Sequence, residues 1–262
     1  MIRGTCILRE LDIKRKKIRV TFLAYRDWAL DSINKVVSIG NIEVKDIIRS
    51  EEEYKGKVLA YQDGFVDCIV LIGWSWIIKD ETLKKFLCVG MHPSDLPMYR
   101  GGCPIQHQII DGLEKTQISL MTISSDGVDV GDIWLKEEWN LSGHTMKEIL
   151  DELSVSTARL LNTFFFRFTE IKPLKQELSK GSYCKRRKPS DSRITWDVLS
   201  EMTLKEVYNL IRALGDPYPN IFIEDDEGNR LFFKEVEYQN SAERIKEMDK
   251  TMFLHIVGGG NS

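Results

Sequence analysis

Apolar residues in this chain fall into short dense runs, separated by polar stretches marked with glycine and proline. Residues 18–24 (IRVTFLA) form a β-branched run of strand length, dense enough for burial on both faces. Trp28, Ile33, Val36 and Val37 follow at helical spacing. A weaker strand is predicted around 37–42, and a short element over 57–61. Residues 67–72 (DCIVLI) are the strongest strand, closed by Gly73. Asp80, Glu81 and Thr82 open a short helix to Phe86. Residues 86–91 (FLCVGM) are another buried strand that delivers the chain to His92. A helix is predicted over 104–111, with Pro104 in its first turn. Residues 118–123 (ISLMTI) read as a strand and 132–139 as extended. Residues 146–168 form a long helix with Ile149, Leu153, Leu160, Leu161 and Phe164 on one side. Strands alternating with helices predict an α/β domain with a largely parallel sheet.

The texture changes after Leu178. Residues 179–195 begin SKGSYCKRRKPSDSR, polar and basic, and read as a linker. A helix over 204–214 and a hairpin signal, Asp226-Glu227-Gly228-Asn229 between two apolar runs, follow it. The chain therefore divides into a domain at 1–178, the linker, and a smaller β-rich domain at 196–262 with a glycine-rich tail.

Composition narrows the function classes. Lys and Arg total 37 against 40 Asp and Glu, a formal charge of −3, without the basic excess of a chain whose main task is gripping nucleic acid. The five cysteines (6, 68, 88, 103 and 184) have neither disulfide-framework nor zinc-knuckle spacing, so no metal is expected. The first apolar stretch is soon interrupted by Arg26 and Asp27, unlike a signal peptide, and no run is long enough to span a membrane. A cytoplasmic setting is the expectation.

The candidate chemistry lies in two loops. Residues 91–106 (MHPSDLPMYRGGCPIQ) begin at a strand end with His92, and residues 124–133 (SSDGVDVGDI) begin at another. Ligands bind at such strand ends in open α/β sheets. If the two strands are neighbours, Asp129 and His92 meet, and a carboxylate beside an imidazole orients it for acid–base work. Singly, a His before Pro is most often structural and an Asp-rich turn an ordinary loop; together they specify a site. Cys103 lacks a base placed by motif, and His107, His144 and His255 lack an evident partner, so packing or surface roles are expected for them. Phe164-Phe165-Phe166 reads as helix core or a dimer face.

The two loops, in this order, resemble the signature of the N10-formyltetrahydrofolate-dependent formyltransferases, which include methionyl-tRNA formyltransferase and bacterial sugar N-formyltransferases. The segments 73–78 (GWSWII), 186–196 (RRKPSDSRITW) and 212–219 (RALGDPYP) extend the resemblance over roughly residues 18 to 238. It implies a Rossmann-like N-terminal domain and transfer of formyl from N10-formyltetrahydrofolate to an amine. His92 and Asp129 match two of three catalytic positions. The implied pterin pocket is lined by Trp74, Trp76 and Ile77 and by the turn holding Ser124, Asp126, Val128 and Asp132. One departure stands out: the family commonly has Asn two residues before the His, as an oxyanion donor, where this chain has Gly90. Losing one such donor typically costs ~2.7–4 kcal/mol of transition-state stabilisation. A backbone N–H or the Gln106 amide is expected to substitute.

Among possible acceptors, a nucleotide-linked amino-deoxy sugar, as in surface glycan precursors, suits the acidic balance. Arg212 would pair its phosphate and Tyr218 stack on its base, with Arg100, Gly102 and Gln106 nearer the amine. The alternatives are a methionyl-tRNA formyltransferase, and a non-catalytic module that binds folate or a nucleotide sugar. No nucleic acid or membrane partner is expected, and a homodimer is.

Overall fold

The computed structural model describes residues 17–37 and 41–239. Its first half runs β1 (Ile18–Leu23), α1 (Asp27–Val37), β2 (Ile42–Ile48), α2 (Glu51–Lys57), β3 (Cys68–Ile72), α3 (Asp80–Lys85) and β4 (Leu87–His92). Then come β5 (Arg100–Gly101), α4 (Pro104–Ile110), β6 (Lys115–Thr122), β7 (Ile133–Asn140) and α5 (Met146–Phe166). Six of the strands form one sheet in the order β2-β1-β3-β4-β6-β7. The pairs β1–β2, β1–β3 and β3–β4 are parallel, while β6 runs antiparallel to both β4 and β7. The chain is thus α/β and Rossmann-like, with a mostly parallel sheet and a small antiparallel hairpin near the C-terminus.

The dense apolar runs follow from this topology, because a parallel strand flanked by helices needs apolar groups on both faces. Val20, Phe22, Val70, Ile72 and Val89 face α1 and α5 in one core cluster. Leu23, Ile69 and Leu71 point the other way, toward Tyr54, Val58 and Ile78. Helix α5 starts with a capping box, in which Thr145 accepts from the Glu148 N–H and Glu148 reaches back to the cap. It buries Ile149, Leu153, Leu160, Leu161 and Phe164, each such burial being worth roughly 1.5–3 kcal/mol. Phe164 and Phe165 are core, whereas Phe166 is 83% exposed.

In the first half of the chain, two elements differ from the sequence expectation. The strand expected at 37–42 lies at Ile42–Ile48, with Ile18 paired to Ile42; residues 38–40 lie outside the described ones. It is an edge strand reading IEVKDII, and its half-exposed polar positions dilute the strand signal. Helix α2 (EEEYKGK) buries only Tyr54 and so has no apolar period; its start is set by Ser50, which caps the Glu53 N–H.

Beyond α5 the chain returns to the sheet domain. A two-residue strand, β8 (Tyr183–Cys184), pairs with β5, inside the segment read as a linker. Helices α6 (Trp196–Glu201) and α7 (Leu204–Ala213) and the hairpin β9 (Ile221–Glu224) and β10 (Arg230–Phe233) follow. Helix α6, capped by Thr195, was not expected. Ile211, Leu214 and Ile221 join the same core cluster as β1 and β3.

Arg212 requires a correction. It is 4% exposed, and its guanidinium donates to the carbonyls of Leu141 (2.6 Å) and Gly143 (2.9 Å) and to Asn209 Oδ1 (2.9 Å). It therefore bolts α7 to the turn before α5 and is buried among carbonyls rather than offered to a phosphate. A basic residue in the last turn of a helix looks the same in sequence whether it faces solvent or carbonyls. His144 and His107 also have partners, the Tyr208 hydroxyl at 3.0 Å and the Lys185 carbonyl at 3.1 Å. His255 lies outside the described residues. No described helix is long and apolar enough to cross a membrane.

Arg212→Met should strand two buried carbonyls and lower stability by on the order of 3 kcal/mol in urea denaturation, with Arg212→Lys losing less. Glycines give a second check. A Cβ on Gly131 would fall 1.9 Å from the Thr122 carbonyl oxygen, whereas one on Gly56 of α2 meets nothing within 4 Å. Gly131→Ala should lower the melting temperature clearly, while Gly56→Ala should raise stability by about 0.5–1 kcal/mol.

Candidate active site

Strand β4 carries His92 to its C-terminal end, where the side chain is 8% exposed. Its Nδ1 lies 3.3 Å from Asp129 Oδ2 and its Nε2 lies 2.9 Å from the Tyr99 carbonyl oxygen. A carbonyl only accepts, so Nε2 carries a hydrogen, and the ring is fixed with Nδ1 toward the carboxylate. The same Asp129 Oδ2 accepts from the Gly101 N–H at 2.9 Å. Imidazole and carboxylate, 37 positions apart by their numbers, thus meet where β4 and the loop after β6 end.

Both loops are pinned from several sides. Ser119 on β6 donates to the Ser94 carbonyl (2.8 Å) and accepts from the Leu96 N–H (3.2 Å). Gln108 on α4 donates to the Pro93 carbonyl at 2.7 Å. The segment before and at β8 completes the frame: Ser182 accepts from the Tyr99 N–H through its side chain (2.8 Å) and from the Arg100 N–H through its carbonyl (3.1 Å). On the other loop, Gln176 donates to the carbonyls of Asp129 (3.1 Å) and Gly131 (2.6 Å). The non-glycine residues with left-handed backbone among the described ones are Tyr99, Cys103 and Asp129, all in these two loops. Such conformations cost of order 1–3 kcal/mol each and persist only where surroundings hold them.

Beside this pair, the ends of β1 and β3 supply an aromatic wall. Trp74 lies 4.7 Å from Trp76 and 6.4 Å from Tyr25 between ring centroids, and Tyr25 bonds Ser75 at 2.7 Å. The Trp74 Nε1 is buried with no partner. Ile77 is 86% and Val128 58% exposed. In the turn after β6, the Ser124 hydroxyl donates to Asp126 Oδ2 and accepts from the Asp126 N–H. Asp132 gives its carbonyl to the Thr122 N–H.

The residues expected near an amine fare differently. Gln106 is 3% exposed, with its Nε2 unpartnered. Tyr218 packs against the main core with its phenol beside the Gln106 amide, and burial raises its pKa. It is turned inward rather than presented as an open stacking face. Arg100 is half-buried with its Nε unpartnered. Gly102 has a packing role instead: its N–H donates to the Cys184 carbonyl (2.9 Å), and a Cβ there would fall 2.5 Å from the Arg186 Cα. At Gly90, a Cβ would lie 2.5 Å from the Ile123 Cδ1, so that isoleucine fills the space a side chain would take.

Sequence reading missed Ser182, Gln176 and Ile123, which act through loop–loop contact and leave no local pattern. It also passed over Tyr25 and Arg26, although they follow a buried strand just as His92 does. A groove of about 680 Å³ on the outer flank of the His loop touches Asp95, Tyr99, Lys115 and Glu138 but neither His92 nor Asp129. No described cluster of three His, Cys, Asp or Glu is placed to hold a metal.

Comparison with known proteins agrees on the domain. The formyl transferase family model matches residues 32–158. The methionyl-tRNA formyltransferase of Rickettsia prowazekii is 35% identical over 133 residues, 50% of this chain and 44% of that protein. That of Rickettsia canadensis is 31% identical over 178 residues, 66% of this chain and 56% of that protein. The chain thus spans about half the length of the curated relatives it matches. Among solved structures, a methionyl-tRNA formyltransferase from Clostridium thermocellum superposes with a TM-score of 0.71 at 28% identity, covering 86% of this chain and 95% of that one. A 4-N formyltransferase from Francisella tularensis has a TM-score of 0.69 at 17% identity, covering 86% of this chain and 100% of that one, a likeness of fold. The stretch 32–158, with its strand-end histidine and facing aspartate, matches the formyl transferase family model.

Proposed function

We propose that this chain transfers a formyl group from N10-formyltetrahydrofolate to the amino group of a nucleotide-linked amino sugar. The observation that carries the reading is the His92–Asp129 contact at the strand-end crevice of a formyl transferase domain. In this reading residues 1–178 hold folate and the reaction centre, 179–195 link, and 196–262 complete the acceptor side, in the cytoplasm.

The residues present fit a reduced pterin. Trp74 and Trp76 offer aromatic faces, the orphan Trp74 Nε1 is a donor in want of an acceptor, and the exposed turn at 125–128 offers backbone polar groups. Apolar walls with a few convergent polar groups suit a flat heterocycle.

The folate supplies a formyl carbon bonded to N10. As the bond from that carbon to the acceptor amine forms and the bond to N10 breaks, the amine loses one proton and N10 gains one. Asp129, with Oδ2 fixed by the Gly101 N–H, is the group to take the amine proton. His92 faces that oxygen through Nδ1 and can carry the proton onward. Gln106 is buried beside the His loop, and in this reading its amide, which also meets the Tyr218 phenol, stands in for the one missing at Gly90.

A second reading, formylation of methionyl-tRNA, is favoured by the names of the sequence relatives and by the basic run at 185–188. The acidic balance of the chain disfavours the tRNA. Incubation with N10-formyltetrahydrofolate and either a panel of nucleotide-linked amino sugars or methionyl-tRNA decides between them. Formylation of the tRNA and of no sugar reverses the order.

Asp129→Asn and His92→Asn should each lower kcat by at least about 10²-fold, the range of a positioned acid–base group, with folate affinity retained. Retained turnover in both would place the chemistry on other residues, and absence of turnover in the wild type would leave the chain a binding module at most. Gln106→Ala should cost about 10²–10³-fold in kcat if its amide serves the oxyanion, and unchanged turnover would assign that task to a backbone N–H.

A further inference from the structure

We propose that Gln176 is a positioning residue for formyl transfer: together with Ser182 on the same strap, it sets the spacing of the two loops and so holds the Asp129 carboxylate against His92. The inference rests on the reading of Asp129 as the group that takes the amine proton. It adds to that reading a residue that acts on Asp129 only through the backbone.

After α5 the chain is stitched to the start of β7, where Ile133 and Leu174 exchange two N–H···O bonds of 2.8 Å. Two residues on, Gln176 is buried, and its Nε2 donates to the carbonyls of Asp129 (3.1 Å) and Gly131 (2.6 Å). A single tight turn at Leu178–Lys180 then leads the chain across to the His loop. There the Ser182 N–H donates to the Pro97 carbonyl at 3.2 Å. The Ser182 hydroxyl and carbonyl accept from the Tyr99 and Arg100 N–H groups at 2.8 and 3.1 Å. Gly181 permits the approach, since a Cβ there would fall 2.3 Å from the Pro97 carbonyl oxygen. One short segment is thus fastened to the Asp loop at Gln176 and to the His loop at Ser182. It holds both members of the pair, because Tyr99, gripped by Ser182, is the residue whose carbonyl engages His92 Nε2.

Two observations mark Gln176 as more than packing. The first is where its bonds fall. The carbonyls on either side of Val130 meet the same nitrogen, so the backbone of residues 129–131 is curled around one amide group. Asp129 has a φ of 55° within that curl. A left-handed residue persists only where its surroundings hold it, and its side chain follows the backbone. From this backbone Asp129 Oδ2 reaches His92 Nδ1 at 3.3 Å and the Gly101 N–H at 2.9 Å. The second observation is a cost. Gln176 Oε1 is buried with no partner. An unsatisfied buried acceptor weakens the fold, and a side chain kept for packing alone would not carry one. Turning the amide round would bring its oxygen against two carbonyl oxygens.

The consequence for turnover follows from that arrangement. Without the amide donor, the turn at 129–131 loses the contact that curls it, and the carboxylate moves off both the Gly101 N–H and His92. Removal of the amine proton then slows. The aromatic wall at Trp74 and Trp76 is untouched, so folate is bound as before. The defect therefore belongs in kcat and not in KM.

The test uses the full chain with Gln176→Met, which keeps the length of the side chain and removes the donor, and Gln176→Glu, which keeps its shape and replaces the donor by an oxygen. Thermal melting checks that each variant folds, and Ser182→Ala, which frees the Tyr99 N–H, repeats the test from the other loop. Each folded variant should lower kcat about ten- to a hundredfold, the cost of a reacting group displaced by about 1 Å, with KM for N10-formyltetrahydrofolate nearly unchanged. Two readouts separate positioning from lost stability. In the Asp129→Asn background Gln176→Met should lower kcat no further, because a residue that works through that carboxylate then has nothing left to position. The Gly101 amide proton, bonded to the carboxylate in the wild type, should move upfield in the magnetic resonance spectrum of Gln176→Met. Wild-type turnover in the folded variants, or losses from Gln176→Met and Asp129→Asn that multiply, overturns the proposal. If the wild type formylates neither sugar nor tRNA, the reading of Asp129 falls. The Gly101 resonance then decides by itself whether Gln176 places the carboxylate, and an unmoved resonance overturns that too.

Discussion

One hydrogen bond ties the two functional loops together: the Gly101 N–H to the Asp129 carboxylate at 2.9 Å. Asp129 adopts a left-handed backbone with φ of 55°, a conformation that costs an L-residue of order 1–2 kcal/mol. It is held by the Gln176 amide on its own carbonyl, by the close approach that Gly131 allows to Thr122, and by the Gly101 bond. Gly101 in turn has a φ of 93° and lies so near the Cys184 carbonyl and the Tyr183 ring that a Cβ would collide with both. The His92–Asp129 contact thus depends on residues 176–184, which lie far downstream.

That dependence shapes the electrostatics. His92 has protein acceptors at both ring nitrogens, a carbonyl at Nε2 and a carboxylate at Nδ1. Neither side chain can swing away without breaking a bond to rigid backbone. With so little exposed, a carboxylate whose orientation is already fixed has little to reorganise when charge develops next to it. The backbone strain in the two loops is offset by that frame and by the close-packed sheet below it.

The loops that were legible in the sequence share one property: each directly follows a dense apolar run. A buried strand has to end at the sheet edge, so His92 and the turn at 124–132 could be placed by reading alone. Arg212 was not legible, because the amphipathic period of α7 does not say whether its last basic residue meets carbonyls or solvent. The packing role of Gly102 and the clamp at Ser182–Cys184 were hidden for a related reason. Short extended pairs such as β5 and β8 leave no period in either sequence and exist through each other. Helix α2 was missed because three acids and a single buried tyrosine make a surface helix, held by its cap rather than by an apolar face.

Gly90 and Ile123 should be considered as one unit. An amide-bearing side chain at position 90 would start 2.5 Å from the Ile123 Cδ1, so the two cannot both keep their present positions. Leu71 stands 3.9 Å from the same point. The sheet side of the crevice is therefore apolar where the resembling enzymes commonly place a donor. Any polar side-chain contact at this point has to come from the other side, where Gln106 on α4 is buried with its amide against the Tyr218 phenol. Exchanging a donor on the sheet for one on a helix moves that contact onto elements that α7 and the C-terminal segment support. Gln106 is thereby coupled to the C-terminal segment, and loss of packing around Tyr218 would disturb Gln106 without touching the His92–Asp129 pair.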